Sequence, residues 1–423
     1  MKIKKIVKKL TPEFLLDFYH YALAFIGSVV FLFPSRKITV IGVTGTSGKS
    51  TTVDFITRIL EEAGNHVASV SSVRFKIGKK EWKNELKMTT PGRMKLQQFL
   101  RQAVQSKCDL AVLEIASEGI KQHRHKFIHF DTAVFTNLSP EHIEAHGGFE
   151  NYRNEKLKLF KATKNVHIVN IADDDAKYFW SIGARQKIGF KSKNQTSKCK
   201  MTNQNSKIVE ADDIKLTADG LLFKIQDTKF NTQLLGDFNV YNALAAIAVA
   251  RAYGVSLEDC RRALEKAAGV PGRMEMVSQN PMVVVDYAHT PEQLELAYKS
   301  FHGKPLVCVL GSCGGGRDKW KRPALGKIAQ QYCKEIIITN EDPYDEPPLD
   351  IINQVAESAG SKAQKILDRK EAIVRALALA KPGEAVIITG KGSEVWMCLE
   401  NGKKIPWSDK DTVKEELVKT LDK

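Results

Sequence analysis

Short runs rich in Val, Ile and Leu alternate along the first half of the chain with stretches whose apolar residues recur at helical spacing. Unbroken apolar runs of this length are typical of strands buried on both faces. Helical stretches such as Met94–Ser106 separate them. The pattern therefore predicts a doubly wound, mostly parallel α/β sheet. After a first strand that begins at Lys37, the strands we expect are Val67–Val73, Asp109–Ile115, Thr132–Thr136 and Val166–Ile171.

The pattern changes twice further along the chain. Residues from about 185 to 235 are polar and lysine-rich, with short alternating runs that predict a small antiparallel insertion, and Gly236–Ala252 returns to a helix. Pro271-Gly272-Arg273 is typical of a domain hinge. Beyond it a second, Rossmann-like α/β domain is predicted, with strands at Met282–Val285, Pro305–Leu310, Glu335–Thr339 and Ala385–Thr389. The predicted segments are a leader helix (1–37), a central domain (38–270) and a C-terminal domain (271–423).

The leader combines basic and apolar residues. An apolar stretch, Phe14–Phe33, is interrupted by Asp17 and His20, so its uninterrupted run is shorter than the ~20 residues of a spanning helix. It also lacks the small-residue cleavage site of a signal peptide. Three interpretations stay open: a helix packed on the next domain, a basic anchor on an anionic membrane surface, or a membrane span. The lysines before it are Lys2, Lys4, Lys5, Lys8 and Lys9.

Composition narrows the classes of protein and partner. The chain has 423 residues, 43% of them apolar and 27% charged, which is ordinary for a soluble globular protein of two or three domains. A net charge of +15 favours an anionic partner. The lysines are scattered and no nucleic-acid-binding motif is present, so we expect nucleotides and phosphorylated substrates, not nucleic acid. Seven cysteines without a C-x-x-C pair predict reduced thiols in a cytoplasmic protein, with neither disulfides nor structural zinc.

The segment Lys37–Thr52 carries the clearest chemistry. It reads K-I-T-V-I-G-V-T-G-T-S-G-K-S-T-T, an apolar strand, a glycine-rich turn and a helix start, which is the form of a phosphate-binding loop. The full pattern would have glycine at Val43. Loop amides and a lysine suit phosphate oxygens, and the Ser50 hydroxyl suits Mg²⁺. The predicted nucleotide-binding residues are Gly45, Thr46, Ser47, Gly48, Lys49, Ser50 and Thr51.

Three further candidates follow predicted strands, where ligands of such sheets bind. Glu114 closes the strand L-A-V-L-E, and a buried carboxylate there favours a metal ligand over a structural salt bridge. The loop from Glu141 to Gly148 contains His142 in the pattern E-H-x-E-x-H, which favours Mg²⁺ and phosphate chemistry over a solvated loop or a zinc site. Lys156 alone would be interpreted as a solvated helix lysine.

Eight motifs follow one another in order from about residue 38 to 410. They are G-T-S-G-K-S, T-T-P, L-E-I-A-S-E-G, F-T-N-L-S-P-E-H-I-E-A-H-G, Y-R-N-E-K-L-K-L-F, G-D-F-N-V-Y-N, P-G-R-M-E with V-D-Y-A-H-T-P, and G-K-G-S-E. In this order they resemble the motifs of the Mur ligases. Within that family the chain is most similar to the MurE type, which adds the third peptide residue to a UDP-N-acetylmuramoyl dipeptide.

The resemblance implies an ATP-dependent amide ligase of peptidoglycan precursor synthesis that uses an acyl-phosphate intermediate and two Mg²⁺ ions. It implies that Lys49, Glu114, His142 and Lys156 are catalytic, with Lys156 carbamylated, and that Ser50, Glu114, His142 and Lys156 support the metals. It assigns further nucleotide contacts to Asn239, Asn242, Arg273, Asp286 and His289. It assigns substrate contacts to Thr89, Thr90, Ser117, Arg124, Glu341, Asp342, Gly390 and Glu394. Ser50, Glu114, His142 and Lys156 are expected to converge on one magnesium–triphosphate pocket that faces the acceptor carboxylate.

Several positions depart from the family pattern. Ala116-Ser117-Glu118 stands where S-S-H is usual, and Ser393 replaces the histidine of G-K-G-H-E. The amino-acid selector D-N-P-R reads Glu341-Asp342-Pro343-Tyr344, so no arginine grips a carboxylate there and the added amino acid stays open. Only about 37 residues precede the first strand, where relatives carry a UDP-binding domain, which raises a lipid-linked substrate as a hypothesis.

Two other functions remain open at this stage. One is a different ligase of the same superfamily, such as a folylpolyglutamate or cyanophycin-type synthetase. The other is a P-loop ATPase whose nucleotide cycle drives the binding of a partner. The muramoyl-type motifs favour the MurE-like ligase, whose partners would be a muramoyl peptide and an amino acid.

Overall fold

The computed structural model describes residues 12–86, 88–199, 206–217 and 220–421, and it divides the chain into two compact units. The first unit runs from the N-terminus to Pro140 and from Gly147 to Ala268; the second consists of Glu141–His146 and Gly269–Lys423. A six-residue segment inside the predicted central domain thus belongs structurally to the C-terminal part of the chain.

One eleven-stranded sheet forms the centre of the first unit. Its strands are β1 (Thr39–Thr44), β2 (Val67–Val70), β3 (Arg74–Ile77), β4 (Lys80–Lys83), β5 (Leu110–Glu114), β6 (Thr132–Phe135), β7 (Val166–Asn170), β8 (Gln186–Ser192), β9 (Ser206–Thr217), β10 (Gly220–Ile225) and β11 (Thr228–Thr232). Their order is β11-β10-β9-β8-β7-β6-β1-β5-β2-β3-β4. The seven strands from β9 to β2 run parallel, and antiparallel strands extend both edges. The predicted mostly parallel sheet is confirmed.

The polar stretch from 185 to 235 continues this sheet and does not form a separate one. Strands β9, β10 and β11 pair antiparallel, as expected, but β8 pairs in parallel with β7 and with β9. The polar alternation arises because these outer strands bury fewer of their side chains than β1 or β5. The sequence pattern identified the antiparallel pairs, but it did not show that they continue the main sheet.

Helices cover the sheet of the first unit. They are α1 (Glu13–Val30), α2 (Lys49–Glu62), α3 (Arg93–Gln105), α4 (Ser117–Lys121), α5 (Phe149–Ala162), α6 (Ala176–Trp180), α7 (Asn239–Ala252) and α8 (Leu257–Glu265). Helix α7 is buried on nearly all sides and packs against α2 and strands β7, β8 and β9. Its many alanines allow these neighbours to approach closely. Because nearly every side of the helix is buried, its sequence is apolar on most faces.

Helix α1 packs against α3 along one side. Ala24, Gly27 and Ser28 are buried, and a Cβ on Gly27 would lie 3.0 Å from the sulfur of Met94. The interpretation of the leader as a helix packed on the next domain is therefore right for this side of α1. No helix in the described part of the chain combines the length and the apolar character needed to cross a bilayer.

The second unit contains a six-stranded sheet and a small hairpin. The sheet has the order β12-β13-β17-β14-β15-β16; only the edge pair β12–β13 is antiparallel. The strands are β12 (Glu275–Gln279), β13 (Met282–Val285), β14 (Leu306–Leu310), β15 (Glu335–Thr339), β16 (Ala363–Ile366) and β17 (Ala385–Ile388), with the hairpin β18 (Trp396–Cys398) and β19 (Lys404–Pro406). The helices are α9 (Pro291–Lys299), α10 (Lys321–Tyr332), α11 (Pro348–Ala356), α12 (Arg369–Leu379) and α13 (Asp409–Leu421); shorter helices are Ile143–His146, Pro34–Arg36 and Glu400–Gly402.

One cysteine expectation is wrong. Cys308 and Cys333 form a disulfide with Cα atoms 6.0 Å apart, although no disulfide was predicted. Cys308 lies in β14 and Cys333 directly after α10, so the parallel β14–α10–β15 crossover brings two residues together that sequence spacing does not relate. The other five cysteines are free thiols.

Two buried histidines make the first unit sensitive to acid. His167 in β7 is fully buried and its Nε2 lies 3.0 Å from the carbonyl oxygen of Thr163; burial lowers its pKa to about 4. Burial likewise lowers the pKa of His125 to about 3. Both pKa values are below the usual 6.5, so the unfolded chain binds more protons than the folded chain in acid. Stability is thus lost as the pH falls from 6.5 towards these values.

We expect the free energy of unfolding to fall by about 2 kcal/mol for each of these histidines between pH 7 and pH 5. Urea unfolding at pH 7 and pH 5 would measure this fall in free energy. In the His167→Gln variant the fall should be smaller by about 2 kcal/mol, the contribution of one histidine. His129→Gln, at an exposed position, is the matched control. Equal pH dependence in the two variants would contradict the assignment.

Candidate active site

The turn between β1 and α2 requires glycine at two positions. Gly45 has φ 153° and Gly48 has φ 78°, which L-amino acids with a side chain rarely adopt. A Cβ on Gly45 would lie 1.9 Å from Thr136 Oγ1, and one on Gly48 would lie 2.2 Å from Asn242 Oδ1. The turn therefore has the left-handed, closely packed geometry of a loop that approaches a phosphate with its backbone.

Side chains from two neighbouring segments hold this loop. Thr46 Oγ1 lies 2.9 Å from the hydroxyl of Tyr152, and Ser47 donates its backbone N–H to Asn137 Oδ1 at 2.9 Å. Lys49 Nζ donates to the carbonyl oxygen of Thr46 at 2.7 Å. Asn137 and Tyr152 lie inside the motifs quoted above, but sequence reasoning gave them no role, because their contact with the loop depends on the order of the strands.

Ser50 and Glu114 meet directly. Ser50 Oγ donates to Glu114 Oε2 at 2.9 Å, and the same carboxylate oxygen accepts the backbone N–H of Ser72 at 2.8 Å. The hydroxyls of Ser50 and Ser72 lie 2.7 Å apart. Ser50 and Glu114 are both buried. The structure thus brings together two of the four residues expected to support metals, and it adds Ser72, which no sequence motif indicated.

These groups suit Mg²⁺. They are oxygen donors at the start of a helix, and Mg²⁺ bound with a nucleotide takes one or two carboxylate or hydroxyl ligands together with phosphate oxygens. Among the residues that the structure describes, no cluster of three or more His, Cys, Asp or Glu side chains is arranged for a metal ion. A site completed by phosphate oxygens does not require such a cluster.

Lys156 is buried beside the loop. It lies on α5, its side chain is almost completely inaccessible, and Nζ donates to the carbonyl oxygen of Gly45 at 2.7 Å. The Nζ atom is also 4.3 Å from the ring centroid of Tyr152. The interpretation as a solvated helix lysine is therefore excluded, and the lysine expected to be catalytic touches the phosphate-binding loop.

His142 belongs to the second unit. It has φ 57°, its Nδ1 lies 3.2 Å from Arg317 Nη1, and its Nε2 lies 3.5 Å from Glu141 Oε1. Glu141 Oε1 is also 2.7 Å from His289 Nε2, which ties the 141–146 segment to the loop after β13. Asp318 accepts the backbone N–H groups that follow His142. The role of His142 as a metal ligand stays a prediction.

The expected muramoyl-peptide contacts gather where β5 ends. Thr90 Oγ1 donates to the carbonyl oxygen of Glu114 at 3.0 Å, and Arg124 donates to the carbonyl oxygen of Thr90. Ser117 begins α4 and is buried, and Thr89 precedes Thr90 in the loop before α3. Burial lowers the pKa of Arg124 from its usual value. Thr90 and Arg124 are therefore connected by hydrogen bonds to the strand end that carries Glu114, while Thr89 and Ser117 are near it in the chain.

The expected adenine contacts begin α7. Asn242 Nδ2 donates to Asn239 Oδ1 at 2.8 Å, and Asn239 Nδ2 donates to the carbonyl oxygen of Leu235 at 2.7 Å. Thr52 Oγ1 donates to Asn242 Oδ1 at 3.4 Å. Thr51 is buried in the first turn of α2. The two asparagines thus lie next to the phosphate-binding loop.

The other expected nucleotide contacts are in the second unit. The guanidinium of Arg273 lies 4.0 Å from the ring centroid of Tyr287, whose hydroxyl pKa is raised by burial. Asp286 accepts the backbone N–H groups of Met274 and Ala288, both at 2.7 Å. His289 Nδ1 lies 2.9 Å from the carbonyl oxygen of Tyr287. Arg273, Asp286 and His289 are therefore close neighbours, and their contact with a nucleotide stays a prediction.

A polar cluster follows β15 and β17. Lys391 is completely buried and donates to Asp342 Oδ1 at 2.8 Å, to Glu394 Oε2 at 2.6 Å and to the carbonyl oxygen of Trp396 at 2.7 Å. These bonds use all three N–H donors of an ammonium group. Sequence reasoning quoted Lys391 without a role; its contacts show that it positions the two carboxylates.

Glu341 is buried next to this cluster, beside Cys313 and Gly390. Its Oε1 accepts the S–H of Cys313 at 3.0 Å, and a Cβ on Gly390 would lie 2.2 Å from its Oε2, so Gly390 leaves the space for this carboxylate. Burial, and after it the nearby carboxylates, raise the pKa of Cys313 well above its usual value, which keeps the thiol protonated. Tyr344, at the fourth selector position, supplies no cation.

Comparison with known proteins decides the family. The model of the Mur ligase middle domain matches residues 43–250, and that of the Mur ligase glutamate ligase domain matches residues 272–392. A protein of Syntrophomonas wolfei named UDP-N-acetylmuramoyl-L-alanyl-D-glutamate–2,6-diaminopimelate ligase is 35% identical over 398 residues, which cover 90% of this chain and 78% of that protein. The chain belongs to the Mur ligase family.

Two solved structures agree with the Mur ligase fold. A UDP-N-acetylmuramoyl-L-alanyl-D-glutamate–2,6-diaminopimelate ligase shares 27% identity with a TM-score of 0.59, covering 91% of this chain and 79% of the other. A folylpolyglutamate synthase of Mycobacterium tuberculosis, at 14% identity, has a TM-score of 0.69 and covers 88% and 92%. The second likeness concerns the fold alone.

For this Mur ligase we expect Gly48→Ala to weaken nucleotide binding at least about tenfold. The new methyl group would collide with Asn242, and a φ of 78° would be strained. Isothermal titration calorimetry with ATP in the presence of Mg²⁺ would measure the loss of affinity. Gly64→Ala is the control, since that glycine also has positive φ, at 88°, but no atom within 4 Å of its Cβ position. Equal affinities in both variants would contradict the predicted role of the loop.

Proposed function

We propose that this Mur ligase joins an amino acid to a UDP-N-acetylmuramoyl dipeptide in an ATP-dependent reaction of peptidoglycan precursor synthesis. The observation that carries the proposal is the buried Ser50–Glu114 pair, which stands at the start of the helix that follows the phosphate-binding loop. The names of the relatives support the choice of substrate. Small molecules, and not nucleic acid, would be its partners, and a cytoplasmic location would suit them.

The proposed reaction has two steps. An oxygen of the acceptor carboxylate attacks the γ-phosphorus, a new O–P bond forms, and the bond to the bridging oxygen breaks, which releases ADP. The amine nitrogen of the amino acid then attacks the acyl carbon, a C–N bond forms, phosphate leaves, and a proton of the amine passes to solvent. Phosphoryl transfer of this kind depends mainly on alignment and charge compensation.

The chain's own residues would supply both. The loop amides and Lys49 would hold the β- and γ-phosphates, while Ser50 and Glu114 would hold a magnesium ion. Bound Mg²⁺ neutralises charge that develops on the phosphate oxygens. Asn239 and Asn242 would contact the adenine, and Thr90 and Arg124 would orient the muramoyl peptide. His142 and carbamylated Lys156 are proposed to support a second ion.

We further propose a division of labour along the chain. Residues 38–270 would bind ATP and the acceptor, and residues 271–423 would bind the amino acid and part of the nucleotide, through Arg273, Asp286 and His289. Glu341, Asp342, Gly390 and Glu394 would line the amino-acid site. Because Lys391 already makes three hydrogen bonds, it would not bind a substrate carboxylate.

The decisive measurement is ADP release in the presence and absence of each substrate. Turnover should require both UDP-N-acetylmuramoyl dipeptide and an amino acid, offered as 2,6-diaminopimelate, lysine or ornithine, and mass spectrometry should detect the ligated product. Lys49→Ala should lower turnover about 100-fold or more, because it removes the charge opposite the phosphates. The exposed Lys95→Ala is the control.

Other outcomes identify the competing functions. Turnover that needs neither substrate would indicate an ATPase switch and would overturn the ligase proposal. Turnover with a folate-type or polypeptide acceptor, and none with the muramoyl peptide, would indicate another ligase of the superfamily.

Carbamylation of Lys156 can be tested separately. Addition of CO₂ to the neutral amine forms an N–C bond and releases one proton, and the product resembles a carboxylate. Lys156→Ala should lose about 100-fold or more in turnover and regain part of it with added acetate or formate, which can replace the missing oxygens. A carbamate carbon signal in ¹³C NMR after exposure to ¹³CO₂ should be present in the parent protein and absent from this variant.

Lys158→Ala is the matched control, since Lys158 lies on the same helix but pairs with Glu155 at the surface. It should retain activity and the carbamate signal. A missing signal in the parent protein, or no rescue of Lys156→Ala by either acid, would count against carbamylation while leaving the ligase assignment intact.

A further inference from the structure

Helix α1 and the turn that follows it carry more than half of the exposed large apolar side chains in the described residues. Of the eighteen such side chains in the described residues, ten lie between Phe14 and Leu32. Phe14 and Phe18 are the most exposed, at 70% and 69%. Isolated exposed apolar residues are ordinary on protein surfaces, but a contiguous set on one helix indicates a binding surface.

These side chains form one face. At 100° per residue, Phe14, Phe18, Phe25 and Val29 fall on one line along α1, and the remaining exposed positions lie beside it. The opposite side of the helix contains Ala24, Gly27 and Ser28 and packs against α3. The fold of the first unit therefore uses one side of α1 and leaves the other, here called the α1 apolar face, open.

The α1 apolar face contains no charged residue. The helix has two acidic residues, Glu13 and Asp17, and Asp17 Oδ1 lies 2.7 Å from His123 Nε2 on the packed side. Tyr21 and Phe25 lie where the two sides of the helix meet: both side chains are exposed, and their rings lie 5.1 and 5.3 Å from the ring of Phe127. An anionic or zwitterionic partner would thus meet no acidic side chain on the face itself.

Basic residues flank the face on both sides in sequence. Five lysines stand among the first nine residues, and the first twelve residues contain no Asp or Glu. Arg36 and Lys37, just after α1, are exposed. Lys126, next to the Phe127 that packs on α1, is exposed too. A helix with an apolar face rich in Phe and Tyr and flanked by lysines has the chemistry that lies in the interface of anionic bilayers.

A second copy of the chain fits this surface less well. Two apolar faces in contact would bring two sets of lysines together, in a chain that already has a net charge of +15. An anionic lipid surface instead compensates the lysines while it covers the apolar side chains. The helix is 18 residues, about 27 Å, long and lies on the surface of its unit, which suits a helix parallel to a membrane and not across it.

We propose that the α1 apolar face and the lysine segment before it dock the protein on an anionic phospholipid surface. The apolar side chains enter the acyl boundary and the lysines contact the headgroups. This inference does not depend on the reaction assigned above, and its test does not use activity.

The test is co-sedimentation of the full chain with large unilamellar vesicles of phosphatidylcholine, with and without 30–40% phosphatidylglycerol, at about 0.1 M salt. The protein should sediment with the anionic vesicles and be released as salt rises to about 0.5 M. The fourfold variant Phe14→Gln, Phe18→Gln, Ile26→Gln and Val30→Gln should partition at least about 100-fold more weakly. Replacement of the five leader lysines by Gln should weaken partitioning about 100-fold.

Matched controls come from the second unit. Leu349→Gln, Leu367→Gln, Val374→Gln and Val418→Gln remove four exposed apolar side chains, and replacement of Lys362, Lys381, Lys403, Lys404 and Lys414 by Gln removes five exposed lysines. Both control proteins should bind vesicles like the parent protein. All the substituted side chains that the structure describes are exposed, so circular dichroism and thermal melting should be unchanged.

Three results would overturn the proposal. Absence of sedimentation with either vesicle would exclude lipid docking. A concentration-dependent dimer in light scattering that the fourfold α1 variant abolishes, without vesicle binding, would assign the face to a second copy. Equal losses in the α1 variants and their controls would indicate non-specific adsorption of a basic protein.

Discussion

The carboxylate of Glu114, buried at the end of a strand, is the constraint on which the first unit's site depends. A charged group so far from water is costly unless hydrogen bonds compensate it, and here they come from the Ser50 hydroxyl and the Ser72 backbone. Because its two partners belong to separate chain segments, one carboxylate at the end of β5 sets the positions of the α2 N-terminus and the loop after β2. The phosphate-binding loop is thus fixed by polar contacts in addition to packing.

The order of the strands determines which residues can take part. β1 lies between β5 and β6, so the loops that follow these three parallel strands emerge side by side at one edge. That edge holds Gly45 and Ser50 after β1, Glu114 as the last residue of β5 and Asn137 after β6. Helix α5 returns Lys156 to the same loop through the Gly45 carbonyl. Residues far apart in sequence, such as Ser47 and Asn137 at a separation of 90, become neighbours because a parallel sheet aligns its carboxyl ends.

Sequence patterns predicted the parallel core, most of its strands and the residue types at the site, because buried parallel strands are continuous apolar runs and strand ends bear the polar groups. They did not predict Ser72 or Asn137, whose roles arise from strand order and not from local composition. They missed the short strands β12 and β16, at the two edges of the second sheet, and the Cys308–Cys333 pair. The sequence of α1 is apolar on nearly every side. The pattern therefore did not reveal that its packed face is the side with the small residues Ala24, Gly27 and Ser28.

The second unit also contains a buried charged group that hydrogen bonds compensate, but there the central group is a cation. Lys391, after β17, is buried between Asp342 and Glu394, so the cation is compensated by carboxylates in place of hydroxyls and amides. Lys391 is saturated and the fourth selector position is a tyrosine, so neither of these two residues can grip a substrate carboxylate. Glu341 is buried beside a protonated Cys313, and in the amino-acid site proposed above it would be the group that distinguishes one amino acid from another. A buried carboxylate in that role would favour an amino acid whose far end carries an amine over one whose far end is a carboxylate alone, because only the amine compensates the charge.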